Sequence, residues 1–482
     1  MSGSSAILVV DAGTSGVRAA VVHPDASITA EHYRQVLPSS PEPGQVEFDA
    51  AAMAAAALGV ANAAIADHGE VAAVGIANQR ASTVVWDRQT GEPVGPGIGW
   101  QDLRTVFDCI MLREQGVRLA PNLSATKLKF LLDAAGRDRD LCFGTVDTWI
   151  AWTLSAGTAH VTDWTNVMLT GLRSPGGDAW EQTVLEALDI PESVLPTVVG
   201  SSGVCGHAEA LPGAPPIAGL AGDQQASLVG QGCMAPGLAK ITFGTGGMLD
   251  LCLGPDRPTW PARGPAGTFP IVAWGRNDQL TWGAEAVMLS AGTNVEWLRD
   301  DLGLIPNAAA SHDVASQCES ADGVVYVPAL LGLGTPYWDY GARGTLLGIT
   351  RGSGRPQIVR AVLEGVAQRG ADLVDAAEAD GGTPIPALRV DGGMAANPTF
   401  LQALADATQR PVEVSPVLEA TTLGAAFLTG LAIGTWADEA DVVATWNPRQ
   451  RVEPAGHLDR DRWQDACRRA GGWLPDFSSL DF

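Results

Sequence analysis

Two glycine-rich turns, far apart in the chain, have the residue types that hold phosphate groups. They are Asp11-Ala-Gly-Thr-Ser-Gly16 and Gly244-Thr-Gly-Gly247. Glycines let backbone N–H groups reach phosphate oxygens without interference from a Cβ atom, and each turn adds a hydroxyl donor. A third turn, Asp391-Gly-Gly-Met-Ala-Ala-Asn397, allows another close approach of the backbone. One such turn is often an ordinary hairpin, but three together favour a site that holds terminal phosphates from both sides and adenosine from one.

A carboxylate, Asp223, stands directly after an apolar run. The run Ile217–Ala221 predicts a strand, and Gly222-Asp223-Gln224-Gln225 follows it. Phosphoryl transfer to an alcohol needs a carboxylate that accepts the hydroxyl proton beside the incoming γ-phosphate. Asp223 is therefore a candidate general base, although its local sequence is also typical of a residue that caps the next helix. The chain has neither a Walker motif nor the H-R-D and D-F-G set of protein kinases, so those kinase classes are excluded.

Short apolar strands alternate with helices around these turns, which is typical of an α/β protein. The strand–turn–strand unit at residues 7–22 returns at residues 239–253 and indicates two similarly built α/β domains, unless the likeness is coincidental. The other predicted elements are helices Ala50–Ala66, Thr126–Leu132, Ala284–Leu302, Gln357–Ala379, Thr399–Thr408 and Thr422–Ile433, and strands Val71–Ala77, Gly323–Pro328 and Leu388–Val390.

Composition and charge narrow the classes of partner. The 482 residues carry a formal net charge of −24, which argues against binding to nucleic acid or to an anionic membrane. The seven cysteines form no C-x-x-C pair, which is typical of reduced thiols in a cytoplasmic protein. The seven histidines do not have the spacing of zinc ligands. No stretch is judged to approach the ~20 apolar residues that a spanning helix needs. We therefore expect a soluble, cytoplasmic protein with a small-molecule substrate.

The sequence resembles the FGGY family of carbohydrate kinases over nearly its whole length. Ser124-Ala-Thr-Lys-Leu-Lys129 is similar to the first family signature, and residues 344–352 with 358–365 are similar to the second. Further stretches resemble the glycerol kinases within the family in particular. These are Asn78-Gln79-Arg80, Thr83-Val-Val-Trp86, Trp100-Gln-Asp102 with Arg104-Thr105, Val161-Thr-Asp163 with Thr165-Asn166, Ala221-Gly-Asp-Gln-Gln225, Pro336-Tyr-Trp-Asp339 and residues 389–397.

The resemblance implies an α/β fold of two actin-like (ribonuclease-H-like) domains with an interdomain catalytic cleft. Residues 1–240 would form the domain with the acceptor side and the general base, and residues 241–482 the nucleotide side. ATP and Mg²⁺ are the implied cofactors. The implied roles are Asp223 as general base, Asp11 as the Mg²⁺ ligand, Thr14, Ser15, Arg18, Thr245 and Gly246 around the phosphates, and Gly392, Gly393 and Asn397 near the adenosine.

The acceptor side departs from the glycerol kinase pattern at three positions. Ala81 stands where that pattern has a glutamate, Asn122 where it has a tyrosine, and Met248 where it usually has a phenylalanine. Losing a hydrogen-bond partner weakens binding of a small polyol by ~1–3 kcal/mol each. The departures predict a wider pocket and a longer acceptor, unless they are neutral changes with compensating neighbours. The expected pocket residues are Arg80, Ala81, Trp100, Asn122, Asp223, Gln224 and Met248.

The predicted activity is ATP-dependent phosphorylation of a primary hydroxyl of glycerol or of a related polyol or sugar. One alternative is a pentulose kinase of the xylulose or ribulose type, which would more typically have Met-His where this chain has Arg80-Ala81. Another is a non-catalytic nucleotide-binding protein with the same fold. A kinase that has lost its activity would usually lack Asp223 or the hairpin hydroxyls, and all of them are present. The sequence leaves a homodimer open.

Overall fold

The computed structural model describes residues 5–260 and 262–479 and is organised around a sheet of 13 strands. The strands are β1 (Ile7–Ala12), β2 (Gly16–Val22), β3 (Ile28–Gln35), β4 (Glu47–Phe48), β5 (Ala73–Asn78), β6 (Val84–Asp87), β7 (Gly97–Ile98), β8 (Leu141–Gly144), β9 (Val161–Asp163), β10 (Thr197–Val199), β11 (Ser202–His207), β12 (Pro216–Gly222), β13 (Ala239–Phe243), β14 (Gly247–Gly254), β15 (Phe269–Arg276), β16 (Gln279–Met288), β17 (Val325–Val327), β18 (Thr345–Leu347), β19 (Leu388–Asp391), β20 (Val412–Val414) and β21 (Gln450–Val452).

Helices cover the sheet and fill its connections. They are α1 (Ala50–His68), α2 (Val106–Glu114), α3 (Ala125–Ala135), α4 (Val146–Leu154), α5 (Trp164–Val167), α6 (Gln182–Ala187), α7 (Asp223–Gly230), α8 (Thr293–Asp300), α9 (Ala310–Ala315), α10 (Arg355–Gly381), α11 (Pro398–Thr408), α12 (Ala420–Ile433), α13 (Glu439–Ala444), α14 (Arg460–Ala470) and α15 (Pro475–Ser478).

The sheet consists of two halves with the same pairing pattern. In the first half β1 pairs antiparallel with β2, which pairs antiparallel with β3, while β1, β5 and β12 run parallel. In the second half β13 pairs antiparallel with β14, which pairs antiparallel with β16, while β13, β19 and β20 run parallel. The halves join where Ser202 of β11 pairs with Arg276 of β15. The prediction of two similarly built α/β units is confirmed, and both glycine hairpins occupy the same place in their halves.

Helix α12 links the two halves, because it lies late in the sequence but packs on strands of the first half. Gly75 of β5 and Gly219 of β12 make room for it: a Cβ atom at either position would lie 2.4 or 2.2 Å from Thr429 Oγ1. Where α12 crosses α7, a Cβ atom on Gly424 would lie 1.7 Å from the carbonyl oxygen of Ala226. The proposed domain boundary between residues 240 and 241 remains a prediction, because α12 follows this boundary in the sequence but packs on strands that precede it.

One predicted helix is wrong. Residues 284–288, which we expected to begin a helix Ala284–Leu302, complete the strand β16, and only Thr293–Asp300 is helical. The alanine, glutamate and methionine residues of this stretch suit a helix. However, β16 is paired on both sides, with β14 and β15, and its apolar residues are buried in the sheet. Tertiary pairing therefore decides the structure of this segment.

The expectation that no stretch is long and apolar enough to span a membrane is also wrong, as judged by length and composition. Within the described residues, α1 is long and apolar enough to cross a membrane. Its buried residues, among them Met53, Val60 and Ala64, pack on the outer strands of the first half of the sheet, as those of a core helix do.

Candidate active site

The first glycine turn connects β1 and β2 and lies beside an acceptor-side residue. Asp11 is the register partner of Arg18 across this hairpin. In the turn, Ser15 is exposed, and Thr14 Oγ1 donates to Gln79 Oε1 at 3.5 Å. The indole Nε1 of Trp100 donates to Thr14 Oγ1 at 3.4 Å. The predicted phosphate turn and one wall of the predicted acceptor pocket are therefore neighbours.

Two carboxylates, Asp11 and Asp223, interact at the base of this region. Burial and the charge of Asp223 raise the pKa of Asp11 to about 6, against the opposing influence of Arg18. Asp223 begins α7 directly after β12, and its side chain is 35% exposed. Burial raises the pKa of Asp223, while the guanidinium of Arg80 opposes this change. Two nearby carboxyl groups, of which Asp223 raises the pKa of Asp11, form a set of donors suited to a hard divalent cation.

Arg80 follows β5 and carries the positive charge beside Asp223. Its Nε lies 3.5 Å from Asp223 Oδ1, and its Nη1 lies 2.6 Å from Glu285 Oε2. Burial alone would lower the pKa of Arg80, but Glu285 and then Asp223 raise it above its usual value. Gly222 is required here, because a Cβ atom at that position would lie 2.7 Å from Arg80 Cγ. Arg80 therefore stays charged, with its stem pressed against the strand that leads to Asp223.

Gln224 is held from the second half of the sheet. Its Oε1 accepts a hydrogen bond of 2.7 Å from Lys240 Nζ, and Lys240 also donates to Thr242 Oγ1 at 3.1 Å. The ammonium group lies 2.7 Å from Asp250 Oδ2, and both of these charged side chains are fully buried. A fully buried ion pair is stable only with good geometry and further hydrogen bonds, and Gln224 and Thr242 accept the further hydrogen bonds of Lys240.

The three departures from the family pattern lie in different environments. Ala81 is buried and has φ +60°, an uncommon value for a residue with a Cβ atom. Asn122 is exposed, and its carbonyl oxygen accepts from Lys127 Nζ at 3.1 Å. Lys127 also donates to the carbonyl oxygen of Trp100 at 3.2 Å and so connects two predicted pocket walls. Met248 is half-buried on β14. Their roles in acceptor binding remain predictions.

The second glycine turn connects β13 and β14. Thr245 is exposed, and its carbonyl oxygen accepts from the backbone N–H of Ala291 at 2.8 Å. At Gly246 a Cβ atom would lie 2.8 Å from the carbonyl oxygen of Met288, so a side chain could not be accommodated without a shift. The turn is thus fixed by the segment after β16 and leaves the hydroxyl of Thr245 at the surface.

The third turn follows β19 and begins α11. Gly392 has φ +85°, and a Cβ atom there would lie 2.4 Å from the carbonyl oxygen of Phe243. Gly393 faces open space. Asn397 caps α11, and its Nδ2 donates to Ser311 Oγ at 2.8 Å. This turn therefore has an open backbone surface beside the second hairpin, which is compatible with the predicted adenosine site.

Arg18, the predicted phosphate ligand on β2, is paired with carboxylates. Its Nη1 contacts Glu419, which precedes α12, and lies 3.7 Å from Glu31. Its side chain is 28% exposed. The guanidinium is therefore accessible, and a phosphate group that binds it would compete with Glu419.

Sequence reasoning missed three charged residues of this region: Glu285, Lys240 and Asp250. Lys240 and Asp250 lie within predicted strands, but their partners are fixed by strand register, which the sequence does not show. Glu285 lies in the stretch that was predicted to be helical. The available signal was that each of these charged residues lies within an otherwise apolar stretch. A charge that is buried in a strand requires a partner, so each residue could have been marked as paired.

Comparisons with known proteins identify relatives of the whole chain. The N-terminal domain profile of the FGGY family of carbohydrate kinases matches residues 6–230, and the C-terminal domain profile matches residues 239–433. A glycerol kinase of Halorhodospira halophila is 44% identical, with 97% of each chain covered. One of Aromatoleum aromaticum is 42% identical over 98% of this chain and 99% of its own.

Solved structures show the same fold. The crystal structure of Plasmodium falciparum glycerol kinase with ADP has a TM-score of 0.89 at 27% identity, and covers 100% of this chain and 99% of its own. A xylulose kinase of Rhodospirillum rubrum has a TM-score of 0.83 at 21% identity, covering 98% and 99%. The second likeness concerns the fold alone.

Proposed function

Because the chain belongs to the FGGY family of carbohydrate kinases, and is an ATP-dependent phosphotransferase with an alcohol acceptor, we propose that it phosphorylates a primary hydroxyl of glycerol or of a closely related polyol. The observation that carries this proposal is the position of Asp223. It lies at the start of α7 and beside Arg80, and its charge raises the pKa of Asp11 in the first glycine hairpin. The Asp223 carboxylate, the Arg80 guanidinium and the first glycine turn therefore lie together, which supports roles in proton transfer, acceptor binding and phosphate binding.

Each side chain has a role that follows from its chemistry. Asp223 accepts the proton of the attacking hydroxyl, and its raised pKa makes it a better proton acceptor than an exposed aspartate. Arg80 donates to acceptor oxygens, since no partner engages its Nη2 in the described structure. Gln224 adds an amide next to the base. The glycine turns supply backbone N–H groups to the phosphates, which need positioning and charge stabilisation more than covalent chemistry.

A Mg²⁺ ion fits the donors present. The Asp11–Asp223 pair has an excess of negative charge, and Asp391 Oδ1 is a buried oxygen that has no hydrogen-bond partner among the described residues. We propose that Asp11 holds the ion, with Asp391 close to its coordination sphere. When bound, Mg²⁺ would neutralise charge on the transferring phosphate.

A longer acceptor is the second candidate, and the small side chain of Ala81 favours it. Where a glutamate would bind acceptor hydroxyls, this chain has a methyl group, and the exposed Asn122 adds no aromatic wall. Four- and five-carbon polyols or ketoses would then compete well with glycerol, because a site without hydroxyl partners discriminates poorly among small ligands.

The test is a coupled assay of ATP consumption with glycerol and with C4 to C6 polyols and ketoses. We expect turnover with at least one of them, low ATP hydrolysis without an acceptor, and loss of turnover in Asp223→Asn. Absence of turnover with every acceptor would contradict the proposal. Preference for glycerol over all longer acceptors would contradict only the wider pocket.

We further propose a cytoplasmic location, which is supported by the requirement for ATP and by seven cysteines that are all free. A homodimer remains a prediction. Neither point affects the chemistry of the site.

A further inference from the structure

A buried row of charged side chains crosses the second half of the sheet. Lys240 on β13 is the register partner of Asp250 on β14, and Asp250 is the register partner of Glu285 on β16. The three side chains are buried. Their positions on adjacent strands form one continuous line, which we name the charged row.

Both ends of the charged row contact the acceptor side. At one end, Lys240 donates to Gln224 Oε1 at 2.7 Å, and at the other end Glu285 Oε2 lies 2.6 Å from Arg80 Nη1. The side chains of Arg80 and Glu285 are only 12% and 8% exposed. Arg80 and Gln224 directly follow β5 and β12 of the first half of the sheet, whereas the charged row lies on strands of the second half. The half with the second and third glycine turns thus holds two of the predicted acceptor-pocket residues, Gln224 and Arg80.

The contacts of Arg80 show how Glu285 could act. Arg80 Nη1 is held by Glu285 and by Gln225 Oε1 at 3.3 Å, and Nε faces Asp223 at 3.5 Å. The planar guanidinium has five N–H donors in fixed geometry, so fixing Nη1 and Nε also fixes the direction of Nη2. In the described structure Nη2 has no partner and can donate to a bound acceptor.

On the proposed function of this site, we infer that Glu285 is a positioning residue for the acceptor, which it serves by fixing the orientation of Arg80. Without its carboxylate, the Arg80 guanidinium turns towards Asp223, the remaining anion beside it. Acceptor binding then weakens, while the nucleotide turns are unchanged. Acceptor recognition in the first half of the chain therefore depends on a side chain from the second half.

Glu285→Gln is the main test, because it keeps the size of the side chain and removes its charge. We expect the acceptor KM to rise about tenfold, because the charge-assisted hydrogen bond from Arg80 to the acceptor is lost. The KM for ATP should stay within twofold of wild type. The matched control is Glu413→Gln. Glu413 is also buried and paired with arginines, but lies on β20 among Arg451, Arg389 and Trp446. It should lower thermal stability without a selective effect on the acceptor KM.

A double-mutant cycle separates positioning from general damage. If Glu285 acts through Arg80, then Glu285→Gln adds little to the acceptor KM of an Arg80→Met variant. If the two substitutions raise the acceptor KM independently, so that their fold-changes multiply in the double variant, the inference is overturned. An unchanged acceptor KM in Glu285→Gln would also overturn it. If Glu285→Gln does not fold, Glu285→Asp keeps the charge, withdraws the carboxylate from Arg80, and should show the same selective effect.

The proposed function fails on a different result. If the wild-type protein phosphorylates no polyol or ketose, the acceptor assignment is wrong. If the wild-type protein is active and the variants show no selective change, only the positioning role of Glu285 is wrong.

Discussion

Replacing Gly424 by alanine should damage both stability and catalysis through one helix crossing. A Cβ atom at this position of α12 would lie 1.7 Å from the carbonyl oxygen of Ala226 in α7. Ordinary van der Waals contact begins at 3.4 Å, so the two helices must move apart by about 1.7 Å to accommodate the Cβ atom. Overpacking of this kind costs ~1–3 kcal/mol, and α7 begins with Asp223. A displacement of about 1 Å at a reacting group can lower the rate ~10²-fold.

The assay compares kcat/KM and the unfolding midpoint of Gly424→Ala with those of wild type. Gly203→Ala is the matched control, because a Cβ atom at Gly203 meets no atom within 4 Å and its φ is not positive. We expect the control to behave as wild type, and Gly424→Ala to lose at least ~10-fold in kcat/KM along with several degrees in the midpoint. A Gly424→Ala variant with wild-type stability and activity would show that the crossing is not rigid.

Three further predictions concern carboxyl groups and the pocket. Asp223→Asn should lower turnover ~10²–10⁴-fold with ATP affinity near normal, as measured by titration; turnover within a few-fold of wild type would exclude it as the base. Burial and Asp163 raise the pKa of Asp147 to about 7, so the folded state holds a proton that the unfolded state has already lost. The free energy of unfolding should fall by ~1.4 kcal/mol between pH 6 and pH 8, and Asp147→Asn should flatten this slope; an equal slope in both proteins contradicts it. Ala81→Glu with Asn122→Tyr should raise kcat/KM for glycerol relative to longer acceptors, and no change in this ratio would mean that the departures are neutral.

The sequence predicts the parts of this fold that local patterns control. Both glycine hairpins, the long helix α10 and α12 were found within a few residues of their expected bounds, because their turns, caps and apolar periodicity are local signals. Residues 284–288 were assigned wrongly because pairing with β14 and β15 outweighs helix propensity.

The same limit applies to the candidate site. Motif residues such as Asp11 and Asp223 could be selected from spacing and chemistry. The contact of Arg80 with Glu285 could not, because it depends on strand register between segments about 200 residues apart. A pattern within one segment contains no information about the partner that another segment will bring to it.

The late position of α12 in the chain has a consequence for how the protein is made. The strands β1, β5 and β12 are complete once residue 222 has been synthesised, yet the helix that covers one of their faces ends at residue 433. Until then the nascent chain exposes apolar residues of that face, among them Ile7, Val9 and Ala221, which later pack with Phe427 and Leu428. A gene fragment that stops near residue 240 would therefore encode an incomplete and aggregation-prone half, although the sequence profiles divide there.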